Sequence, residues 1–212
     1  MKTFLGVIAG LLALNTAQAQ IPAYAAAPRV TPAKGEQVAV LAGGCFWGVD
    51  AVFKHVKGVK SVVSGYSGGG SATARYEIVS TGTTGHAESV KVTYDPSQIS
   101  YSDLLRVFFS VAHDPTQLNR QGPDVGSQYR SVIFYSNETE KETAQAYIAQ
   151  LSKTGVFSGP IVTQVVPFVQ FYAAEDYHQN YLANHTDQPY IAFNDLPKLK
   201  QLQQQFPTLY RE

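Results

Sequence analysis

The sequence predicts an α+β domain, a mixed β-sheet with helices packed on it, and three observations lead there. Short runs rich in Val, Ile, Thr and Tyr alternate with segments whose apolar residues recur at helical spacing. Clusters of glycine and proline separate those runs. Hydrophobic residues make up 44% of the chain and charged residues 15%, which suits one sizeable core and excludes a disordered chain.

Taken in order, residues 1–19 read as an export leader. Lys2 supplies the positive start, Phe4 to Leu14 the apolar run, and Ala17-Gln18-Ala19 the small-residue cleavage signal. The run is too short for a membrane anchor, since a span needs roughly 18 apolar residues. The expectation is therefore a secreted protein, in a bacterial periplasm. Residues 20–36, rich in Ala and Pro, are expected to form a flexible lead-in, and 37–212 a single domain.

Gln37 to Ala42 reads as a strand, Gly43-Gly44 as a turn, and Val49, Val52, Phe53 and Val56 as the apolar face of a helix. Gly58 to Tyr66 alternates like a strand and runs into Ser67-Gly68-Gly69-Gly70-Ser71, a loop with unusual backbone freedom. After the turn-rich 81–85 stretch comes the strand Ser89 to Tyr94, closed by Asp95-Pro96. Ser102 to Phe109 has a cap-like start and helical periodicity, and 113–126 is a long loop. Gln128 to Tyr135 returns as a strand. Asn137 to Leu151 is an amphipathic helix with Asn137 as cap and Glu140 three residues on. Thr163 to Val169 is a strand, Glu175 to Leu182 a short helix, and Asp195 to Gln205 a helix with Pro197 in its first turn.

Chemistry concentrates at Gly43-Gly44-Cys45-Phe46-Trp47-Gly48, which holds the only cysteine and the only tryptophan. A lone cysteine is often an inert core residue. Here it stands at the expected start of a helix, where free N–H groups and the helix dipole favour the reactive thiolate. In an oxidising compartment it has no internal partner for a disulfide. Glu88 lies at the start of the second strand after the Cys45 helix, just after a Gly-rich turn, where a desolvated carboxyl can hold its proton near neutral pH. His86 is the alternative, a base for a Cys-His pair. Formal net charge is +0, which gives no case for nucleic acid or an anionic membrane as partner. One Cys and 5 His without close spacing predict no metal site, and no phosphate-loop or dinucleotide fingerprint predicts a cofactor.

Seven motifs then fall in one order: Gly44-Cys45-Phe46-Trp47-Gly48, Gly65-Tyr66-Ser67-Gly68-Gly69, Gly85-His86-Ala87-Glu88, His113-Asp114-Pro115-Thr116-Gln117, Arg120-Gln121-Gly122, Gln128-Tyr129-Arg130-Ser131 and Ala174-Glu175-Asp176-Tyr177-His178-Gln179. Across roughly residues 37 to 182 the chain resembles the A-type peptide methionine sulfoxide reductases. The resemblance implies an α/β sandwich with a ferredoxin-like core and no cofactor. It implies Cys45 as nucleophile, Glu88 as acid, and Tyr76 and Tyr129 as phenols that bind the sulfoxide oxygen. Phe46 and Trp47 become the wall that receives the S-methyl group, with Asp114 and His178 as supporting residues. The substrate implied is methionine S-sulfoxide, free or in proteins, and the product state of the enzyme a sulfenic acid.

Many members of that family carry further cysteines in a C-terminal tail or at the position of Gly48. This chain has none there, and resembles the one-cysteine members. An outside thiol, small or thioredoxin-like, must then reduce the sulfenic acid, and a monomer is expected. Three competing readings remain: a thiol peroxidase with Cys45 as the peroxide-reactive sulfur, a Cys-His hydrolase using His86, and a non-enzymatic binder of oxidised peptides.

Overall fold

The computed structural model describes residues 20–25 and 35–212, so the expected leader lies outside the described residues. In chain order the elements are β1 (Gln37–Ala42), α1 (Phe46–Lys54), β2 (Val59–Ser67), α2 (Tyr76–Val79), β3 (Ala87–Tyr94), α3 (Tyr101–Val107), β4 (Arg120–Gln121), β5 (Asp124–Val125), β6 (Val132–Tyr135), α4 (Glu138–Ser152), β7 (Gln164–Pro167), β8 (Phe171–Ala173), α5 (Tyr181–Asn184) and α6 (Leu196–Gln205). Six strands form one sheet in the order β7-β6-β1-β3-β2-β8, and β4 and β5 form a separate ribbon. All neighbours in the large sheet are antiparallel except β6 and β7, so the sheet is mixed. The middle order β6-β1-β3-β2, with α1 after β1 and α3 after β3, is the ferredoxin-like arrangement expected.

Alternation along β1 explains where the core sits. Ala39 and Leu41 join the main cluster with Phe53, Leu104, Phe108, Tyr147 and Leu202 of the helical layer. Val40 and Ala42 point to the opposite face, with Val132, Phe134 and Phe171. Phe53 and Leu104 are both 0% exposed, and burial of each contributes roughly 1.5–3 kcal/mol. The helices are punctuated by their own side chains. Ser100 Oγ accepts the Asp103 N–H at 3.1 Å, and Asn137 Oδ1 accepts the Glu140 N–H at 2.9 Å while Glu140 Oε2 accepts that of Ser136 at 2.7 Å.

The structure departs from the expected elements where tertiary partners intervene. The first six residues of the expected lead-in, 20–25, are tied down: Ile21 is buried, Tyr147 donates to the Pro22 carbonyl at 2.7 Å, and Arg106 to that of Ile21 at 3.0 Å. The strand expected from Gln128 starts at Val132, because Ser127–Tyr129 curls into a 3-10 turn whose Gln128 side chain donates to the Ser80 carbonyl. The expected 175–182 helix breaks into a 3-10 turn, Asp176–His178, and α5, with Asn180 at φ +56° between them. The expected 163–169 strand ends at Pro167, and the chain then adds β8 on the far edge of the sheet.

Candidate active site

Cys45 follows β1 through Gly43 and Gly44. Gly44 has φ +89°, and a Cβ there would lie 2.5 Å from Gln121 Cγ, so only glycine suits the turn. The residue caps α1 but is 7% exposed. Burial pushes its thiol well above the ordinary value, the charges of Glu88 and Asp195 add to this, and the Trp47 N–H and Lys198 oppose it. The Trp47 N–H favours the anion without forming a full capping bond. The expectation of a standing thiolate is therefore corrected: the resting sulfur is a neutral thiol. Helix α1 has nine residues, and a helix end is worth about 0.3–1 kcal/mol, less than the desolvation of a buried sulfur.

Glu88 lies inside β3 opposite Tyr66 and is 2% exposed. Its Oε2 accepts the Phe46 N–H at 3.0 Å. Burial pushes the carboxyl up to about 8; the Phe46 N–H works against that shift and the Asp124 charge works with it. The start of β3 is clamped by Arg130, which donates to the Gly85 carbonyl at 2.8 Å and to that of His86 at 3.0 Å. His86 itself is spoken for. Its Nδ1 accepts the Gly69 N–H at 3.2 Å, so Nε2 carries the proton and donates to the Gly70 carbonyl at 3.0 Å. It has no lone pair left for Cys45, which removes the Cys-His reading.

Tyr76, on α2, is held by the Glu175 carboxylate, which accepts its N–H at 3.0 Å and the Tyr66 hydroxyl at 2.8 Å. Burial pushes the Tyr76 phenol up to about 12, with the fields of Glu88 and Cys45 adding, and the same causes hold Tyr129 above the phenol range. Both stay hydrogen-bond donors. Phe46 is 1% exposed, with its ring centroid 5.0 Å from that of His178. Trp47 is half-buried, stacked on Tyr181 at 3.7 Å, with Tyr190 on edge at 6.0 Å. His178 stands at the hub: Trp47 Nε1–H donates to its Nδ1 at 3.1 Å, and the Tyr76 ring is 4.4 Å away. Burial holds its pKa below the ordinary value, so it is the neutral acceptor that the indole needs.

Asp114 acts at one remove. Its carboxylate accepts from the Thr116 N–H, Thr116 Oγ1 and Gln117 Nε2. Its backbone exchanges two bonds with the Gln121 side chain, which lies against Gly44. Sequence reasoning missed Tyr181, Tyr190, Asp124, Glu175, Asp195 and Lys198. Tyr190 donates to the Asp124 carboxylate, joining the C-terminal segment to the β4-β5 ribbon. Among the described residues, no group of three or more His, Cys, Asp and Glu is placed to hold a metal ion.

The site thus gathers a thiol, a protonated carboxyl, two phenols and an aromatic wall, the thiol, carboxyl and phenols lying within reach of one another's charges. Comparison with known proteins agrees with that chemistry. The family model for peptide methionine sulfoxide reductase matches residues 37–209. A peptide methionine sulfoxide reductase MsrA 2 of Mesorhizobium japonicum is 58% identical over 180 residues, covering 85% of this chain and 92% of the relative. An MsrA of Thermus thermophilus is 49% identical over 176 residues, covering 83% and 98%. Among solved structures, reduced Mxr1 from Saccharomyces cerevisiae has a TM-score of 0.64 at 33% identity, over 72% of this chain and 87% of that one. Methionine sulfoxide reductase A of Corynebacterium diphtheriae has a TM-score of 0.62 at 35% identity, over 73% and 77%. With a model match across nearly the whole described domain and relatives at this identity, the chain belongs to the peptide methionine sulfoxide reductase family.

Proposed function

We propose that this chain reduces the S epimer of methionine sulfoxide through Cys45, with Glu88 as the proton donor. Reduction of methionine sulfoxide is the reaction of the family; the epimer and the residue roles follow the resemblance, and the burial and hydrogen bonding of the site support the roles. The observation that carries the roles is the buried, protonated Glu88 bonded to the N–H of the residue after Cys45. The sulfoxide S-methyl group rests against Phe46 and Trp47, and its oxygen accepts from Tyr76, Tyr129 and the Glu88 carboxyl. Cys45 sulfur attacks the sulfoxide sulfur; Glu88 delivers its proton to the sulfoxide oxygen and takes the thiol's proton in return. The resulting hydroxyl passes to Cys45 as the S–O bond and the new S–S bond break, methionine leaves with the S–S electron pair, and Cys45 is left as a sulfenic acid, oxidised by two electrons.

Cys45 is the one cysteine, so the return step needs two external thiols, from a small thiol or a thioredoxin-like protein. The first expels water and forms a mixed disulfide, and the second releases Cys45. Residues 1–19, read as an export leader, support action in a bacterial periplasm; free and protein-bound substrate and a monomeric protein complete the proposal.

The test is a rapid mix of reduced protein with each sulfoxide epimer and no external thiol. One methionine per chain from the S epimer, with the mass of one oxygen added to the protein, is the expected result. The only methionine is Met1, so after leader removal that mass reports on Cys45. Methionine release by Cys45→Ser, or from the R epimer alone, contradicts the reading.

A further inference from the structure

Helix α1 carries a bare patch of backbone next to its nucleophile. Cys45 is the cap, Gly48 the third helical residue, and a cap side chain reaches toward the second and third N–H groups of its helix. The space over the Gly48 backbone is filled by an ion pair whose two charges both act on the Cys45 sulfur. A Cβ on Gly48 would run into Asp195 Oδ1 and stand 2.6 Å from Lys198 Nζ. The two groups meet at 3.0 Å, with side-chain exposures of 17% for Lys198 and 0% for Asp195.

Stability does not account for the pair. An i,i+3 pair on a surface is worth about 0–1 kcal/mol, and burying a carboxylate is costly unless its oxygens are satisfied. Asp195 Oδ2 is buried and has no hydrogen-bond partner among the described residues. The pair is placed by the turn Ile191–Asp195, which runs straight into α6, where Lys198 lies one helical turn on.

Charges around the sulfur explain what a cation does there. Glu88 from β3 and Asp195 from the turn oppose an anion at Cys45, while Lys198 from α6 favours it. The phenols of Tyr76, Tyr129 and Tyr190 stay protonated, and His178 is neutral.

We infer that Lys198, aimed over Gly48 by Asp195, is a positioning residue that balances negative charge on Cys45. This rests on Cys45 as the reacting group of the reductase. The ammonium acts as the thiol gives up its proton to attack the sulfoxide sulfur. It acts again when a second external thiolate breaks the mixed disulfide and Cys45 departs with the bonding electron pair. Asp195 fixes the cation in place and tempers its field.

Alkylation of Cys45 by iodoacetamide, followed against pH, tests this without any turnover, because the chain has one cysteine. Asp195→Asn keeps an oxygen for Lys198 and removes the opposing charge, so the alkylation midpoint falls by roughly one pH unit. Lys198→Met added to Asp195→Asn removes the cation alone, and the midpoint climbs back by a similar amount. Lys198→Arg on the same background keeps it low. Coincident midpoints for the single and double variants, both folded by circular dichroism, overturn the proposal. Should the double variant not fold, an Asp195→Asn midpoint equal to wild type overturns it. Failure of wild type to release methionine strikes the reductase reading instead, since no sulfoxide enters the alkylation assay.

Discussion

Glu88 and Phe46 are joined across 42 residues by one hydrogen bond, in which the carboxyl oxygen Oε2 accepts the Phe46 N–H at 3.0 Å. The bond sets an acid one peptide beyond the nucleophile, and burial around it pushes that acid up to about 8. At neutral pH the carboxyl keeps its proton and can release it where negative charge develops.

Replacing Glu88 by Gln removes that proton and leaves the shape intact. Single-turnover methionine release is expected to slow by about 10²–10⁴-fold. In wild type the donor is lost as pH rises through about 8, so the rate carries a falling limb there that the variant lacks. An identical pH profile in the two proteins would place the acid elsewhere.

The same group makes stability depend on pH. Its folded value, about 8, lies above its ordinary value of 4.5, so between these the folded state binds the extra proton. The contribution is whole below 4.5 and drains away as pH climbs to about 8. Urea unfolding across that window should show wild type losing stability relative to Glu88→Gln; parallel curves would mean that the carboxyl is solvated.

His178→Phe keeps an aromatic ring beside Phe46 and Tyr76 but leaves the Trp47 indole N–H without its acceptor. A buried donor stranded in this way costs about 1–3 kcal/mol. Because Trp47 lines the expected methyl pocket, KM should rise about tenfold while kcat changes less. A loss confined to kcat would instead show that His178 touches the reacting oxygen.

Gly44→Ala puts a methyl group against Gln121 at a backbone angle that L residues avoid. A loss of about 1–3 kcal/mol in unfolding free energy is expected, with activity falling as Cys45 shifts. Full stability in the variant would contradict the geometry of this turn.

Much of the fold was legible because its signals are local. The alternation of β1, the apolar spacing of α1 and the Asn137–Glu140 cap of α4 each lie within one window of sequence, and each element forms where expected. β8 was not legible: Phe171–Ala173 is three residues long and pairs with β2, at the opposite edge of the sheet from β7. The site divides along the same line. Cys45 announced itself by rarity and by its glycines, whereas the Tyr190–Asp124 bond spans 66 residues and has no local mark. Thiol acidity was misjudged for a related reason. A helix end can be read from neighbouring residues, but the desolvation that outweighs it comes from strands and turns elsewhere in the chain.

A lone, buried sulfur makes every molecule a single-shot device until something recharges it. In surroundings poor in donors, repair capacity is then a head count: damaged residues rescued equal the copies present, and catalytic speed ceases to matter. Selection in such a setting acts on how much of the protein is made and on who rearms it.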